Sequence, residues 1–433
     1  MKKTILIVLM MSIGMLAYGQ ATIRIGSQAG VDKRIRVAAP PFASADPSLS
    51  PVAREMAEVI GFDLEFSGLF YVIAPAEYPP NFTALDPDVA KLDMEVWRMA
   101  RVDQLVYGMV RTEGNEIVGQ FRLFDLFSKQ QIVGLELRVA KESPRLAAHK
   151  FSEEVIRYAD GIPGTGTSEV CFSGGVIGKK EIYIADYDGA NAKQLTKHGS
   201  ISIKPRISPD GNKIAYLSYK DRFPFLYVYD RRTGKSTPIS EEPGINATPS
   251  WSPDGTKLAM VLSKDGNMEI YLRDADGRRP VRLTKNRYMD TSPYFSPDGS
   301  QLAFVSDQGG SPQIYVMPIT GGGGTRLSMQ GGNSYDPSWS PDGKKIAYVV
   351  EKRGAGFQIW MMDANGSNPI QLTNAGGINE SPSWSPDSRH VIYATNRNGG
   401  SELWGINIKT GQEFKLSKGN LRTEGPSWGP RRQ

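Results

Sequence analysis

The chain contains few of the residues on which hydrolases and metal centres most often depend. Its 433 residues include one cysteine, Cys171, and three histidines, His149, His198 and His390. A single cysteine excludes an intrachain disulfide bond. The histidines fall on three different predicted elements, with His390 at an outward-facing strand position, so neither a Ser-His-Asp triad nor a histidine metal site is expected. We therefore expect no catalytic residues and no bound metal.

The chain also lacks a strong charge bias and, beyond its first residues, a long apolar run. It has 51 basic and 46 acidic residues and no basic tract, which argues against nucleic-acid binding. The uncharged run Thr4–Ala17 behind Lys2 and Lys3 is typical of a secretory signal peptide. We expect cleavage after Gly19, with Ala21 as the alternative, and the other interpretation is an uncleaved membrane anchor. No other stretch is apolar enough to insert into a membrane.

A repeated phrase dominates the second half of the chain. Ser-Pro-Asp-Gly begins at Ser208, Ser252, Ser296 and Ser340, and a variant begins at Ser385, with spacings of 44, 44, 44 and 45 residues. A fixed period of this length indicates a repeat architecture. A second phrase, which reads Ile-Tyr-Ile-Ala-Asp-Tyr-Asp-Gly in its first copy, occurs six times with the same step. The sequence therefore predicts six structural units.

Each unit reads as four short antiparallel strands, here called A to D in chain order. In the third unit these are Thr248–Trp251, Lys257–Leu262, Glu269–Arg273 and Val281–Thr284, separated by Pro-Asp-Gly and Asp-Gly turns. Radial stacking of such units gives a β-propeller. The first unit lacks strand A, whereas Gly425–Pro430 reads as a strand A with nothing after it. We therefore expect a six-bladed ring that the C-terminal strand closes.

The residues before the repeats predict a separate α/β domain with one mixed sheet. Helices are expected from Ser50, from Asp86 to about Ala100, and from Ser143 to about Asp160. The predicted strands are Thr22–Ile25, Arg34–Ala38, Gln104–Val110, Glu116–Leu126 and Gln131–Val139. The fold class is thus an α/β N-terminal domain plus an all-β six-bladed β-propeller. We place the signal peptide at 1–19, the N-terminal domain at 20–160, a linker at 161–167 and the propeller at 168–430.

Three motifs superficially suggest ligand chemistry and are better explained by the repeat. Gly174–Lys180 lacks the first glycine and the Ser/Thr of a phosphate-binding loop. Asp186–Gly189 and Asp274–Gly277 lack the later acidic ligands of a calcium loop and read as hairpin turns. Cys171 occupies the repeat position at which other units carry alanine, which indicates packing rather than reactivity. We therefore expect no cofactor.

One face of the ring is instead a candidate binding surface. Residues just before strand A and those between strands B and C meet at this face and surround the central channel. Here the sequence is polar and varied, although the turns are strictly repeated, and varied loops on a rigid scaffold favour binding. The alternative is that these loops are merely solvated. The segments before strand A are Ser202–Lys204, Asn246–Thr248, Asp290–Ser292, Ser334–Asp336 and Asn379–Ser381.

The chain resembles the TolB family, the periplasmic propellers of the Tol–Pal system of Gram-negative bacteria. Ser-Trp-Ser-Pro-Asp-Gly repeats also occur in other propellers, such as those that cap prolyl peptidases. The order of signal peptide, α/β domain and six such blades is more specific. The stretches Arg24–Val31, Val37–Gly68, Asp103–Arg138 and Ser263–Gly266 fit the family as well.

The resemblance implies a monomeric periplasmic scaffold, not an enzyme, that supports outer-membrane integrity and invagination during cell division. It implies that the propeller mouth binds the lipoprotein Pal and that the N-terminus binds TolA. The alternative is a propeller with glycan-hydrolysing or peptidase-assisting activity. The positions that match the Pal site are Ile245, Asn246, Ala247, Thr248, Asp290, Thr291, Ser292, Tyr335, Asp336 and Glu380, with Ile245 where the family often carries histidine. The positions that match the TolA site are Gln20, Ala21, Thr22, Ile23, Arg24, Ile25 and Asp32.

Overall fold

The structure is a computed structural model that describes residues 34–432 except 81, 330, 353, 355 and 375. The expected signal peptide, the predicted strand Thr22–Ile25 and the predicted TolA-binding positions lie outside the described residues.

The first elements are β1 (Ile35–Ala38), α1 (Ser50–Phe66), β2 (Phe70–Val72), α2 (Met94–Met99), β3 (Gln104–Glu113), β4 (Glu116–Asp125), β5 (Gln130–Ala140) and α3 (Pro144–Asp160). Short 3₁₀ turns lie at Pro47–Leu49, Pro75–Glu77 and Val89–Lys91.

The N-terminal domain is a mixed sheet with helices packed on it, as expected. The strand order is β2-β1-β3-β4-β5, with β1 parallel to both neighbours and β3 to β5 antiparallel. Pro51 fits the first turn of α1, where its missing N–H costs no hydrogen bond. Met56 and Ile60 of α1 are buried with Phe151 and Val155 of α3 in one core cluster. The two helices thus share one apolar face against the sheet.

The helix predicted from Asp86 to about Ala100 is wrong over its first half. The side chains of Asp86 and Asp88 accept hydrogen bonds from the backbone N–H groups two residues further on, at 2.8 and 3.1 Å. These local bonds compete with helix formation. The helix α2 begins only after Asp93, whose carboxylate accepts from Glu95 N at 3.0 Å. Strand β2 was not predicted.

The remaining strands form six four-stranded sheets, which are the blades. Blades 1 to 3 contain β6 (Ser168–Val176), β7 (Lys179–Asp186), β8 (Lys193–Gln194), β9 (Ser202–Ile207), β10 (Lys213–Ser218), β11 (Phe225–Asp230), β12 (Lys235–Ser240), β13 (Asn246–Trp251), β14 (Lys257–Leu262), β15 (Glu269–Asp274) and β16 (Val281–Arg282). Blades 4 to 6 contain β17 (Asp290–Phe295), β18 (Gln301–Ser306), β19 (Gln313–Pro318), β20 (Thr325–Arg326), β21 (Asn333–Trp339), β22 (Lys345–Lys352), β23 (Gly356–Asp363), β24 (Ile370–Gln371), β25 (Asn379–Trp384), β26 (His390–Thr395), β27 (Glu402–Asn407) and β28 (Glu413–Lys415). The last strand is β29 (Thr423–Arg431).

The C-terminal strand closes the ring, which confirms the prediction. The sheet of blade 1 has the order β29-β6-β7-β8, and β29 pairs antiparallel with β6 so that Ser427 faces Cys171 and Trp428 faces Val170. The indole N–H of Trp428 donates to Ser168 Oγ at 2.7 Å.

Cys171 is fully buried in a hydrophobic cluster, and burial raises the pKa of its thiol to about 12. An un-ionised, enclosed thiol fits the expected packing role.

The repeated phrase forms the same hydrogen-bonded turn between strands A and B. In blade 5, Ser340 Oγ donates to Asp342 Oδ1 at 2.6 Å and accepts from the backbone N–H of Lys345 at 2.9 Å. Gly343 has a φ of 74°, a conformation that glycine adopts without strain. The A–B and C–D turns of all blades lie on one face of the propeller, here called the turn face. The opposite face, with the B–C loops and the segments before strand A, is the loop face.

The N-terminal domain packs on the turn face at blades 1 and 6. Tyr187, in the C–D turn of blade 1, donates to Asp63 Oδ1 of α1 at 2.5 Å, and His149 Nδ1 of α3 lies 2.8 Å from Asp63 Oδ2. All three side chains are at least 98% buried. Residues 164–167 are buried as well, and Arg431 donates to the carbonyl oxygens of Pro163 and Gly164. The contact leaves the loop face uncovered.

The prediction of an outward position for His390 is wrong. The same repeat position carries Lys213, Lys257 and Gln301 in other blades, and these side chains are at least partly exposed. His390 is fully buried, with its Nε2 2.6 Å from the backbone oxygen of Phe66 and its ring stacked on Phe66 at a centroid distance of 3.9 Å. The repeat pattern cannot reveal this burial because it comes from the other domain, whose helix α1 covers blade 6 here.

Candidate functional site

Each inner strand carries an unusual backbone conformation near the loop face. One residue per strand A has a positive φ, and in all six blades the register of strands A and B shifts at this point, as in a β-bulge. These residues follow the 44-residue period and are Lys204, Thr248, Ser292, Asp336, Ser381 and Gly425, with φ between 45° and 56°. We call them the channel ring. Five of the six are not glycine, so the fold itself must hold this backbone in place.

Polar contacts join members of the channel ring across the central axis. Lys204 Nζ lies 3.0 Å from both Asp336 Oδ2 and Ser381 Oγ, and Asp336 Oδ1 accepts from Ser292 Oγ at 3.2 Å. Lys204 belongs to blade 2 and Asp336 to blade 5, which is the opposite blade of a six-membered ring. Burial alone would raise the pKa of Asp336, but Lys204 foremost, and Arg206 to a smaller degree, hold it below its usual value. A charged pair therefore crosses the channel near the loop face.

Two predicted Pal-binding residues lie inside the blades. The sequence pattern places Asn246 and Asp290 at the opening, yet both are at least 99% buried. Asn246 Oδ1 accepts from Ser240 Oγ at 2.6 Å and its Nδ2 donates to the carbonyl oxygen of Glu242 at 2.7 Å. Asp290 accepts from Asn286 Nδ2 at 2.7 Å, and burial raises the pKa of its carboxyl group. Both side chains brace the connection that leads into strand A.

The other predicted residues lie nearer the surface. Ile245 is exposed, and Glu380 is partly buried, which raises the pKa of its carboxyl group. Tyr335 donates to Glu351 Oε2 at 3.1 Å, so its ring is held beside the B–C loop of its own blade. The remaining partly exposed predicted residues are Ala247, Thr248, Thr291, Ser292 and Asp336. The structure thus brings eight of the ten predicted positions to the loop face in a form that a partner can reach.

Sequence reasoning missed the apolar part of the loop face. Eight large apolar side chains on its loops are between 38% and 85% exposed: Val176, Ile177, Tyr219, Phe223, Ile245, Met289, Met329 and Ile378. We call them the apolar rim. Only two other large apolar side chains in the described part of the propeller are comparably exposed, Val281 and Ile370 on outer strands. The signal was present in the sequence, because Ile245, Met289 and Ile378 share the repeat position that precedes strand A.

One cluster elsewhere has the composition of a metal site. Ligand atoms of His149, Asp186 and Asp188 lie within 4.8 Å of one another at the interface with the N-terminal domain. The guanidinium group of Arg145 already pairs with Asp188 and lies 3.8 Å from Asp186 Oδ2, and Arg432 lies 3.0 Å from Asp186 Oδ1. Arginine side chains therefore already neutralise these carboxylates.

Within the described residues, no helix is long and apolar enough to cross a membrane.

The fold and the loop face define a class of protein: six-bladed propellers with an α/β domain docked on the turn face. A family model described as the TolB beta propeller domain matches residues 170–432, and one described as the TolB amino-terminal domain matches residues 22–132. The chain belongs to the TolB family.

Individual relatives agree with this assignment. The chain is 34% identical over 216 residues to the Tol-Pal system protein TolB of Cereibacter sphaeroides, a match that covers 49% of this chain and 48% of that protein. It is 33% identical over 220 residues to the protein of the same name from Roseobacter denitrificans, which covers 50% and 49%. The chain spans about half the length of these curated relatives.

Solved structures resemble the whole arrangement or only the ring. The crystal structure of TolB from Acinetobacter baumannii is similar with a TM-score of 0.82 and 28% identity, over 92% of this chain and 97% of that one. A chain of a nidogen/laminin complex is similar with a TM-score of 0.51 and 11% identity, over 60% and 98%. The latter likeness shows the fold alone.

Proposed function

We propose that the chain is a non-enzymatic periplasmic scaffold of the Tol–Pal system. In this proposal the loop face holds the outer-membrane lipoprotein Pal, and the N-terminal segment holds TolA, so that the protein supports outer-membrane integrity and invagination at division. The TolB family assignment and the names of the relatives support the system. The buried, structurally engaged positions of His149 and His390 argue against their use in hydrolysis.

The observation that carries the Pal proposal is the apolar rim. A concentration of exposed large apolar side chains on one face is typical of protein–protein interaction sites. The rim collects eight of the ten exposed large apolar side chains described in the propeller on one face. That face is also the one that the N-terminal domain leaves open. A partner domain that covers the rim would remove this surface from water at little cost in rearrangement.

The channel ring supplies the polar centre of the same surface. Its backbone is fixed by the inner strands, and its charged pair Lys204–Asp336 is partly desolvated. Binding energy tends to concentrate at such a central, rigid group of residues surrounded by contacts that exclude water. Two positions carried over from the family resemblance belong to this centre: Thr248 is a member of the channel ring, and Thr291 directly precedes the member Ser292.

The TolA proposal rests on the family resemblance of Gln20–Asp32. The sequence Thr22–Ile25 is rich in β-branched residues, which suits addition as a strand to the edge of a partner's sheet. We expect that replacing Gln20–Asp32 by a Gly/Ser segment of equal length abolishes TolA binding and leaves Pal binding within a few-fold. Co-precipitation and calorimetry with each purified partner measure this. TolA binding that survives the replacement would place the TolA site elsewhere.

Thr248→Arg tests the Pal site. The equivalent position in blade 2 is Lys204, so this backbone accepts a long basic side chain. An added cation at this position of the channel ring should clash with a docked partner and weaken Pal binding at least tenfold, about 1.4 kcal/mol. Calorimetry with purified Pal measures the affinity.

Thr256→Arg is the matched control for this substitution. Thr256 lies in the same blade but is exposed in an A–B turn on the opposite face. Lys344 and Arg389 occupy the equivalent position in blades 5 and 6, so a basic residue fits there too. We expect Pal binding to be unchanged. Equal affinities of both variants and the wild type would show that Pal does not bind at the loop face.

A further inference from the structure

The channel opens on the turn face into a cavity of about 340 Å³ that the proposed scaffold function does not use. Five blades contribute the proline of their A–B turn to the wall, Pro209, Pro253, Pro297, Pro341 and Pro386, and blade 1 contributes Pro430, which has the equivalent repeat position in β29. The cavity is also lined by Ile207, Trp251, Phe295, Trp339 and Trp384, the last residues of five inner strands, and by Trp428 at the equivalent position of β29. We call this the turn-face cavity. All of its lining residues belong to the propeller.

We propose that the turn-face cavity binds a carboxylate attached to an apolar body, with Arg206 as the residue that holds the carboxylate. The ligand class is defined by a terminal carboxyl group next to a large apolar side chain. A free N-acylated amino acid and the C-terminal residue of a peptide share this chemistry.

The repeat itself marks Arg206 as an exception. At its position in the inner strand, four blades carry serine: Ser250, Ser338, Ser383 and Ser427. Three of these serines accept a hydrogen bond from the backbone of the next blade, for example Ser427 Oγ from Ile207 N at 3.2 Å and Ser383 Oγ from Trp428 N at 3.0 Å. Blade 2 has Arg206 and blade 4 has Tyr294 instead, so both give up this bond between blades. Both residues line the cavity.

Apart from one N–H of Arg206, the donors of these two side chains have no hydrogen-bond partner within the described part of the chain. Arg206 makes one hydrogen bond, from Nη1 to the backbone oxygen of Pro205 at 3.0 Å, and no ion pair with any described carboxylate. No described group hydrogen-bonds to the Tyr294 hydroxyl. Asp336, whose pKa Arg206 helps to lower, is already bound by Lys204 and Ser292. Arg206 acts on Asp336 without contacting it and has no described carboxylate within ion-pair distance, so it is a cation without a contacting counter-ion in the wall of a largely apolar cavity.

This arrangement suits a carboxylate better than a neutral group. Charges interact more strongly beside apolar walls than in water, and a guanidinium group binds a carboxylate through two parallel hydrogen bonds. The proline and aromatic rings offer apolar surface for the rest of the ligand. A cavity of this size is at the small end of the ~300–1,000 Å³ range of ligand pockets, which fits one aromatic amino-acid residue.

Calorimetry on the full chain with N-acetyl-L-phenylalanine and with its C-terminal amide tests the proposal. We expect the acid to bind and the amide to bind at least tenfold more weakly. Arg206→Ser should reduce acid binding at least tenfold. This variant installs the residue that four other blades carry, so we expect it to fold. Arg232→Ser, which removes an exposed cation on the same face but outside the cavity, should leave binding unchanged.

A peptide that ends in phenylalanine, with a free or an amidated C-terminus, distinguishes the two sources. A free-acid peptide that binds more than tenfold tighter than the single residue would identify a chain terminus as the ligand, and equal affinities would identify a small acid. Absence of acid binding at millimolar concentration, or equal binding of acid and amide to the wild-type chain, would overturn the proposal. So would undiminished acid binding by folded Arg206→Ser. Pal affinity of this variant should stay at the wild-type value, which keeps this result separate from the proposed scaffold function.

Discussion

The two faces of the propeller are built on opposite principles. On the turn face, the same short sequence makes the same turn in five A–B connections, and in each the serine donates to the aspartate two residues further on at 2.5–2.6 Å. On the loop face, the connections differ from blade to blade, and large apolar side chains are exposed. The comparison indicates that repetition is concentrated where the blades are held together, and that variation is concentrated where a partner can be recognised.

The inner strands run from the loop face to the turn face, and in blade 3 the six residues of β13 span this path. In blade 3, β13 begins at the buried Asn246, passes through Thr248 with its positive φ, and ends at Trp251, whose indole N–H donates to the backbone oxygen of Arg206 in blade 2 at 2.9 Å. The turn-face end of the strand is thus bonded to a neighbouring blade. Substitutions at the two ends should therefore separate stability from binding.

Deleting Thr423–Gln433 should have the largest effect, because it removes the inner strand of blade 1 across both faces. The deletion exposes the edge of β6, removes the buried Trp428 and breaks the bonds of Arg431 to residues 163 and 164. We expect the free energy of unfolding to fall by several kcal/mol, a large share of the ~5–15 kcal/mol typical of a domain. Thermal and denaturant unfolding measure the change.

The double substitution Arg431→Gln and Arg432→Gln is the control for this deletion. It removes the charged contacts of the C-terminus and keeps the strand, including its pairing with β6 and the buried indole. We expect a much smaller loss than in the deletion. A deletion variant that unfolds at the wild-type midpoint would contradict closure by the C-terminal strand.

Ser340→Ala should have the next largest effect and act on the turn face alone. The substitution leaves the backbone N–H of Lys345 without its side-chain acceptor, in a site where Ser340 is fully buried. It also leaves Asp342 Oδ1 with one donor, the backbone N–H of Lys344, instead of two. Loss of a buried partner costs about 1–3 kcal/mol. Ser300→Ala, which removes an exposed hydroxyl from another A–B turn, should cost less than about 0.5 kcal/mol. If the two variants unfolded alike, the turn serines would contribute no stability through burial. Calorimetry with Pal should give wild-type affinity for both.

The six blades and their closure follow from the sequence because period, turn chemistry and strand alternation all point to one architecture. The register of Trp428 with Trp384 is enough to assign the last strand to the first blade. The repeat pattern cannot predict contacts that blade residues make with the N-terminal domain. His390 has the same repeat position as exposed residues elsewhere, and only the docking of α1 makes it a buried residue.

The candidate site was predicted at the level of loops and not of individual side chains. The register correctly brings the segments before strand A to one face, yet it does not tell which way each side chain points from a bulged strand. Asn246 and Asp290 turn inward because their loops contain unpaired backbone and side-chain groups that need partners. The apolar rim was overlooked because the loops are polar on average, although three of its members share one repeat position.

Met289→Ser should have the smallest effect on stability and a measurable one on binding. The Met289 side chain is 44% exposed on the loop face, so its removal should change the free energy of unfolding by no more than about 0.5 kcal/mol. If Pal covers the apolar rim, the loss of this buried contact should weaken binding several-fold, about 1 kcal/mol. Ile370→Ser is the matched control, because Ile370 is 51% exposed but lies on the outer strand β24. Calorimetry with Pal should separate the two variants. Equal affinities would mean that exposed apolar surface on the loop face contributes no more to partner binding than exposed apolar surface elsewhere on the ring.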